Sequence, residues 1–185
     1  QYYPEDWRGH NNVGYVYYMQ NDLGNAKTNF EKANGLNENP VTLNNLGIIA
    51  RINGDRDKAT ELLNSAVSAG SEVKYNLGII DIQNGDYSEA AGNMGSENTF
   101  NKALAQTLNG DYSSALTTVD ASQDAESAIG YYLKAIIGAR QNNLDMVVNN
   151  LKSAIAKDSS LKAKASKDRE FIKFFENASF QNVVK

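Results

Sequence analysis

The chain has 185 residues, 41% of them hydrophobic, and a formal net charge of −4. That is long enough for one sizeable core or one continuous array, and the charge gives no general attraction for nucleic acid. No run approaches the roughly 18 apolar residues of a membrane span. With no cysteine and a single histidine, His10, the chain lacks the material for disulfide frameworks, thiol nucleophiles, Cys-type zinc sites and paired-histidine metal motifs. The absence of cysteine also fits an envelope or extracytoplasmic protein.

From the N-terminus, YYPEDWRG reads as the tail of a preceding helical unit, closed by Pro4, so the chain is expected to be part of a longer array. The next stretches break repeatedly. Asn21-Asp22-Leu23, Gly54-Asp55-Arg56, Gly85-Asp86-Tyr87, Gly110-Asp111-Tyr112 and Asn142-Asn143-Leu144 recur at spacings of 33, 31, 25 and 32 residues. Each break opens with Gly or Asn, the residues that tolerate the left-handed conformation ending a helix. Each continues with Asp or Asn, whose side chain can accept from the free N–H groups of a following helix. One helix stops and another starts within two or three residues, which predicts a helical hairpin at every break.

The flanks repeat as well. Seven residues before the break stand Gly14, Gly47, Gly78, Ala103 and Ala135, and five residues after it Ala26, Ala59, Ala90, Ala115 and Val147. Small residues there let paired helices approach closely. Phe30, Leu63, Met94, Val119 and Leu151 follow as larger apolar partners. A period near 30 points to a solenoid of supersecondary units. The units fall near 7–39, 40–70, 71–95, 96–121 and 124–156. The 25-residue step predicts a stunted second helix within 88–98, and 112–120 reads as equally short.

Residues 157–185 carry seven Lys/Arg against four acids, a net of +3 that leaves −7 over the rest. With Phe171, Phe174, Phe175 and Phe180 set among those charges, the segment predicts one amphipathic capping helix and a short tail. Its Phe residues close the last unit and its Lys residues face water.

NVGYVYYMQNDLGNAKTNFEKA (12–33) and NNLGIIARINGDRDKATELLNSA (44–66) resemble tetratricopeptide repeats. Val13-Gly14, Tyr17, Ala26, Phe30 and Ala33 match that pattern in the first unit. Leu46-Gly47, Gly54, Ala59, Leu63 and Ala66 match in the second, and Leu77-Gly78, Gly85, Tyr87 and Ala90 in the third. The family's early Trp is replaced by His10 and Leu43, and the fourth and fifth units are degenerate. The resemblance implies an all-α, right-handed superhelical solenoid of antiparallel helix pairs over 1–156, about five units plus a C-terminal capping helix over 157–185. It also implies a non-enzymatic scaffold, whose natural setting, by likeness to Asn- and Tyr-rich bacterial repeat proteins, is a periplasmic or outer-membrane-associated assembly.

No catalytic constellation accompanies the repeat. There is no Gly-x-Ser-x-Gly elbow and no Gly-x-x-x-x-Gly-Lys loop. Asp22, Asp55, Asp86 and Asp111 recur as caps, a repeat apart, and do not form a cation ladder. Neither cofactor nor metal is expected. An RNA reader of the pentatricopeptide kind would want a basic groove and a steady period, and this chain has neither. The chaperone-clamping subset of the family is also a poor fit. Asn11 and Tyr15 stand where it has Lys and Asn, Glu72 and Asn76 stand where it has bases, and only Asn45 matches.

In the family the first helix of each pair lines a concave groove. On that reading the partner-binding face includes Asn12, Tyr15, Tyr18 and Met19 in the first unit. It includes Asn45, Ile48, Arg51 and Ile52 in the second, and Tyr75, Asn76, Ile79 and Ile82 in the third. Asn12, Asn45, Asn76 and Asn101 form a register of amides that offer donors and an acceptor to a peptide backbone. Tyr and Ile between them can hold apolar side chains. The same Asn can equally bond a neighbouring helix, and the same Ile can pack between helices. The expected partner is therefore a protein or peptide, with neither nucleic acid nor membrane insertion, and the alternative is a structural spacer within a larger protein.

Overall fold

The computed structural model describes residues 5–185, apart from the side chain of Ala69. Pro4, read above as closing an earlier unit, lies outside them. Among the described residues there are twelve α-helices, two short 3-10 helices and no strand. The chain divides into two compact units, 1–95 and 96–185.

The first unit holds three antiparallel pairs: α1 (Trp7–Met19) with α2 (Leu23–Leu36), α3 (Pro40–Ile52) with α4 (Arg56–Ser65), and α5 (Ser71–Asn84) with α6 (Tyr87–Asn93). The second unit holds α7 (Phe100–Leu108) with α8 (Tyr112–Asp120) and α9 (Ala128–Arg140) with α10 (Leu144–Lys157). The short α6 is the second helix that the 25-residue step left no room to extend, and α8 is short as the stretch 112–120 reads.

The breaks follow from local chemistry. Asn21, Gly54, Gly85, Gly110 and Asn142 all have positive φ, from 55° to 93°. This left-handed turn lets the chain reverse without a long loop. Asp22, Asp55, Asp111 and Asn143 then accept from the N–H groups of Asn25, Lys58, Ser114 and Met146. Asp86 occupies the same place but makes no side-chain capping bond.

Close packing of each pair depends on a small residue on the first helix facing a large one on the second. A Cβ on Gly14 would lie 2.7 Å from the Phe30 ring, one on Gly47 would lie 2.8 Å from Leu63 and one on Gly78 would lie 2.9 Å from Met94. In the second unit Ala103 and Ala135 are fully buried, within the clusters that also hold Val119 and Leu151. Ala103 is matched by the smaller Val119, while Ala135 is matched by Leu151, a residue as large as the Leu63 that faces Gly47.

The closing segment departs from the expected single helix. It is α11 (Leu161–Ala165), a 3-10 helix over Arg169–Phe174, and α12 (Ala178–Val184). Two side chains divide it. Asp168 accepts from Glu170 N–H, and Asn177 accepts from the N–H groups of Ser179 and Phe180. Each starts a new short helix by satisfying donors that a continuous helix would have bonded internally. Phe171, Phe174 and Phe180 are buried with Val147, Leu151 and Ala154 of α10 in one cluster. Phe175 is only partly buried against it.

Candidate functional site

Residues on a helix advance by about 100° each. With Gly14, Gly47 and Gly78 turned toward their second helices, three registers fall on one stripe of α1, α3 and α5: Asn12/Asn45/Asn76, Tyr15/Ile48/Ile79 and Met19/Ile52/Gln83. Along this stripe Tyr15, Met19 and Ile52 are exposed, while Ile48 and Ile79 are half-buried. Apolar groups thus reach the surface along this stripe of α1 and α3.

The structure gathers four of the expected residues around one cleft of about 210 Å³. Tyr15, Tyr18, Asn45 and Ile48 line it together with Phe30, Asn44 and Glu72. The rings of Tyr15 and Tyr18 stand 6.3 Å apart at 34°. The cleft combines two phenols, an apolar floor, amides and one carboxylate. That mixture suits a side chain or backbone segment that is mostly apolar with a few polar handles. Asn12 is exposed on the same stripe, while Arg51, Tyr75, Asn76 and Ile79 are half-buried and lie outside the lining of this cleft.

The amide register has a different occupation from a free peptide grip. Asn45 Nδ2 donates to Asn11 Oδ1 at 2.8 Å, and Asn76 Nδ2 donates to Asn44 Oδ1 at 2.9 Å. Each amide therefore stitches its first helix to that of the preceding pair, and Asn44 is buried. The carbonyl oxygens of Asn45 and Asn76 carry the remaining acceptor capacity. The sequence reading places neither Asn11 nor Asn44 in the amide register. Their signal was the doublet Asn-Asn at 11–12 and 44–45, where one residue faces the stripe and its neighbour faces the next pair.

Arg51 Nε is buried without a hydrogen-bond partner. At the outer end of the stripe Arg8 is paired with Asp6 at 2.7 Å. Hydrogen bonds from the Arg8 side chain and backbone hold the Asp6 carboxyl below the usual carboxylate range. Within the first unit Asp81 behaves oppositely. Burial pushes its carboxyl up, against the Asn93 hydrogen bond that lowers it, with the charges of Glu89 and Asp86 adding to the rise.

The second unit has a cleft of about 450 Å³ lined by Tyr112, Arg140, Asp168, Glu170, Ile172 and Lys173, among others. Its polar groups are engaged in closing the unit. Arg140 Nε and Nη2 donate to the Glu170 carboxylate at 2.9 and 2.7 Å. Tyr132 Oη donates to Asp168 Oδ2 at 2.7 Å, and burial together with that bond pushes the phenol far above its ordinary pKa. Among the described residues no group of three or more His, Asp or Glu is placed to hold a metal ion. No helix of the described residues is long and apolar enough to cross a membrane.

Residues 8–40, the first helix pair, match the tetratricopeptide repeat family. Among solved structures the chain is similar to YrrB, described as a TPR protein with an unusual peptide-binding site. That match has 20% identity and a TM-score of 0.69, covering 86% of this chain and 92% of the other. It is also similar to pilF of Pseudomonas aeruginosa, with 17% identity, a TM-score of 0.67, and 92% and 82% of the two chains covered. A third likeness is to the APC/C hetero-tetramer Cut9-Hcn1, with 13% identity and a TM-score of 0.70 over 98% of this chain and 43% of that one. At these identities the likeness shows the fold, an all-helical repeat of the tetratricopeptide kind. No curated protein matches the chain.

Proposed function

We propose that the chain is a non-enzymatic protein-interaction module that holds a peptide or protein segment on the first-helix face of its N-terminal unit. The observation that carries this reading is the stripe of Tyr15, Ile48 and Ile79 beside Met19 and Ile52, open at the cleft that Tyr15, Tyr18, Asn45 and Ile48 share. Isolated exposed apolar residues are ordinary, but a register of them on successive helices is the form of a docking face. The peptide-binding site named for YrrB supports the reading by analogy of fold. A bacterial cell-envelope assembly is the setting that the resemblance to Asn- and Tyr-rich bacterial repeat proteins implies, and the absence of cysteine fits it.

A structural spacer is the second reading, and the Asn45–Asn11 and Asn76–Asn44 bonds favour it, because they commit the amide register to stacking. Selection of a random peptide library on the intact protein separates the two. Binders held on the stripe should lose at least about tenfold in affinity, roughly 1.4 kcal/mol, when Tyr15→Ala and Ile48→Ala are combined. Binders indifferent to both substitutions, or no binders at all, would leave the spacer.

A further inference from the structure

The cleft of the first unit, lined from α1, α2, α3 and α5, holds a single formal charge. Among its described lining residues Glu72 is the sole acid, and none is Lys, Arg or His. The exposed acids Glu31 of α2 and Glu61 of α4 are neutralised within one turn, by Lys27 at 3.7 Å and by Lys58 at 3.0 Å. Glu72 has no such neighbour. Three and four residues on, where a helical partner would stand, are Tyr75 and Asn76. Lys74 is two residues away, on another face of α5, and Arg51 lies one turn beyond Ile48 outside the lining. No cation of the described residues forms an ion pair with Glu72. Residues 1–95 carry seven Lys/Arg against twelve acids, a net of −5 that leaves this charge uncompensated.

The rest of the lining suits a cation that arrives on an apolar stem. Tyr15 and Tyr18 stand 6.3 Å apart at 34°, and the faces of such rings attract a guanidinium or ammonium group. Asn45 gives an N–H to Asn11, and its carbonyl oxygen adds acceptor capacity beside the carboxylate. Ile48 supplies an apolar wall. The volume, about 210 Å³, is below the roughly 300–1,000 Å³ of sites that enclose whole small molecules, and matches one anchoring side chain.

We infer that this cleft anchors an arginine of the bound segment, flanked by apolar residues that lie along Ile48 and Ile52. A planar guanidinium forks onto the Glu72 carboxylate and lays its face against a tyrosine ring at once, whereas a lysine ammonium makes point contacts. The inference rests on the reading of the stripe as a docking face and names what that face holds: a basic, apolar segment, selected against acidic ones. The chain's own arginines do not supply it. Arg8 and Arg140 are paired with Asp6 and Glu170, Arg56 and Arg169 stand between acids, and Arg51 is half-buried in α3. The segment therefore lies outside these residues, on a partner.

The test titrates the whole protein with three short peptides of identical flanks that differ at the centre of Leu-x-Leu. The centre is arginine, citrulline (its uncharged isostere) or glutamate. The arginine peptide should bind at least about tenfold more tightly than the citrulline peptide, and the glutamate peptide most weakly. Glu72→Gln should bring the arginine and citrulline peptides within about twofold of each other, and Glu72→Lys should reverse the order in favour of glutamate. Tyr15→Leu should shrink the arginine preference. Glu38→Gln makes the same change of charge at an exposed position outside the cleft, and should keep the full preference. Equal binding of the three peptides, with amide signals shifting along the Tyr15–Ile48 stripe, would overturn the inference and leave the docking face standing. A preference lost equally in Glu38→Gln and Glu72→Gln would assign it to the charge of the whole unit and also overturn the inference. No binding of any peptide at about 1 mM would overturn both the inference and the docking face. Self-association of the protein alone, abolished by Glu72→Lys, would overturn it in favour of a second copy.

Discussion

Gly14 and Phe30 meet so closely across α1 and α2 that a Cβ on Gly14 would lie 2.7 Å from two carbons of the Phe30 ring. Phe30 is 2% exposed, and the backbone oxygen of Ala26 lies 3.2 Å from the same Cβ position. Gly14→Ala is therefore expected to destabilise the protein by about 1–3 kcal/mol through overpacking, despite alanine's better helix propensity. Gly9 on the same helix is open, and Gly9→Ala is expected to stabilise by up to about 1 kcal/mol. Denaturant unfolding of the two variants checks both signs. Equal effects would show that the pairwise close approach does not govern the register.

Much of this architecture was legible because its determinants are local. The left-handed φ of Asn21, Gly54, Gly85, Gly110 and Asn142 is a property of those residue types, and the caps that follow act over three residues. The closing segment was not legible, since charged and Phe residues spaced for a helix also fit shorter pieces. Asp168 and Asn177 decide the matter by capturing N–H groups, and their side chains read equally as solvated helix positions. The amide register illustrates the other limit. That Asn45 and Asn76 share a face follows from periodicity, but that Asn11 and Asn44 meet them requires the neighbouring helix to be in place.

The Asn11–Asn45 bond can be weighed directly. Asn45→Ala is expected to cost about 1 kcal/mol of stability, and a double-mutant cycle with Asn11→Ala should show a coupling of about 0.5–1.5 kcal/mol. A coupling near zero would free Asn45 for ligand contact alone and weaken the spacer reading.

Tyr15 and Tyr75 should separate. Tyr15 is 54% exposed, so Tyr15→Ala should change stability by no more than about 0.5 kcal/mol. Tyr75 is half-buried and engaged with neighbouring groups, so Tyr75→Ala should cost more, about 1–3 kcal/mol. If Tyr15→Ala is the more costly change, Tyr15 belongs to the core and the stripe loses its central residue.

Asp81 predicts a pH dependence of definite sign. Its carboxyl is raised in the fold, chiefly by burial, so the native state binds the proton more tightly than the unfolded chain. Its contribution to stability therefore falls as pH rises from the ordinary carboxylate pKa through the raised folded value, and the cost persists at neutral pH. Asp81→Asn keeps an acceptor for Asn93 Nδ2, which donates to it at 2.8 Å. The variant should be more stable at pH 7 by up to about 0.5 kcal/mol, a small gain because solvent screens the site. The difference from wild type should shrink toward zero in acid. A gain that grows in acid would contradict the assignment.

The closing segment should behave as part of the core, although it is built from short helices. Phe171 is fully buried, packs edge-on against Tyr132 at 5.6 Å and 81°, and lies 5.8 Å from the Phe180 ring. It joins the 3-10 helix, α9 and α12 through one side chain. Phe171→Ala is expected to cost about 3–5 kcal/mol, by lost transfer energy and the cavity left behind. Ile172, its exposed neighbour, should tolerate Ala within about 0.5 kcal/mol. Removing 159–185 altogether should expose Val147, Val148, Leu151 and Ala154, all now buried in the same cluster, and lead to aggregation or a clear fall in melting temperature. A truncated protein that stays monomeric with unchanged melting would show that α10 closes the second unit by itself, and Phe171→Ala should then be nearly silent as well.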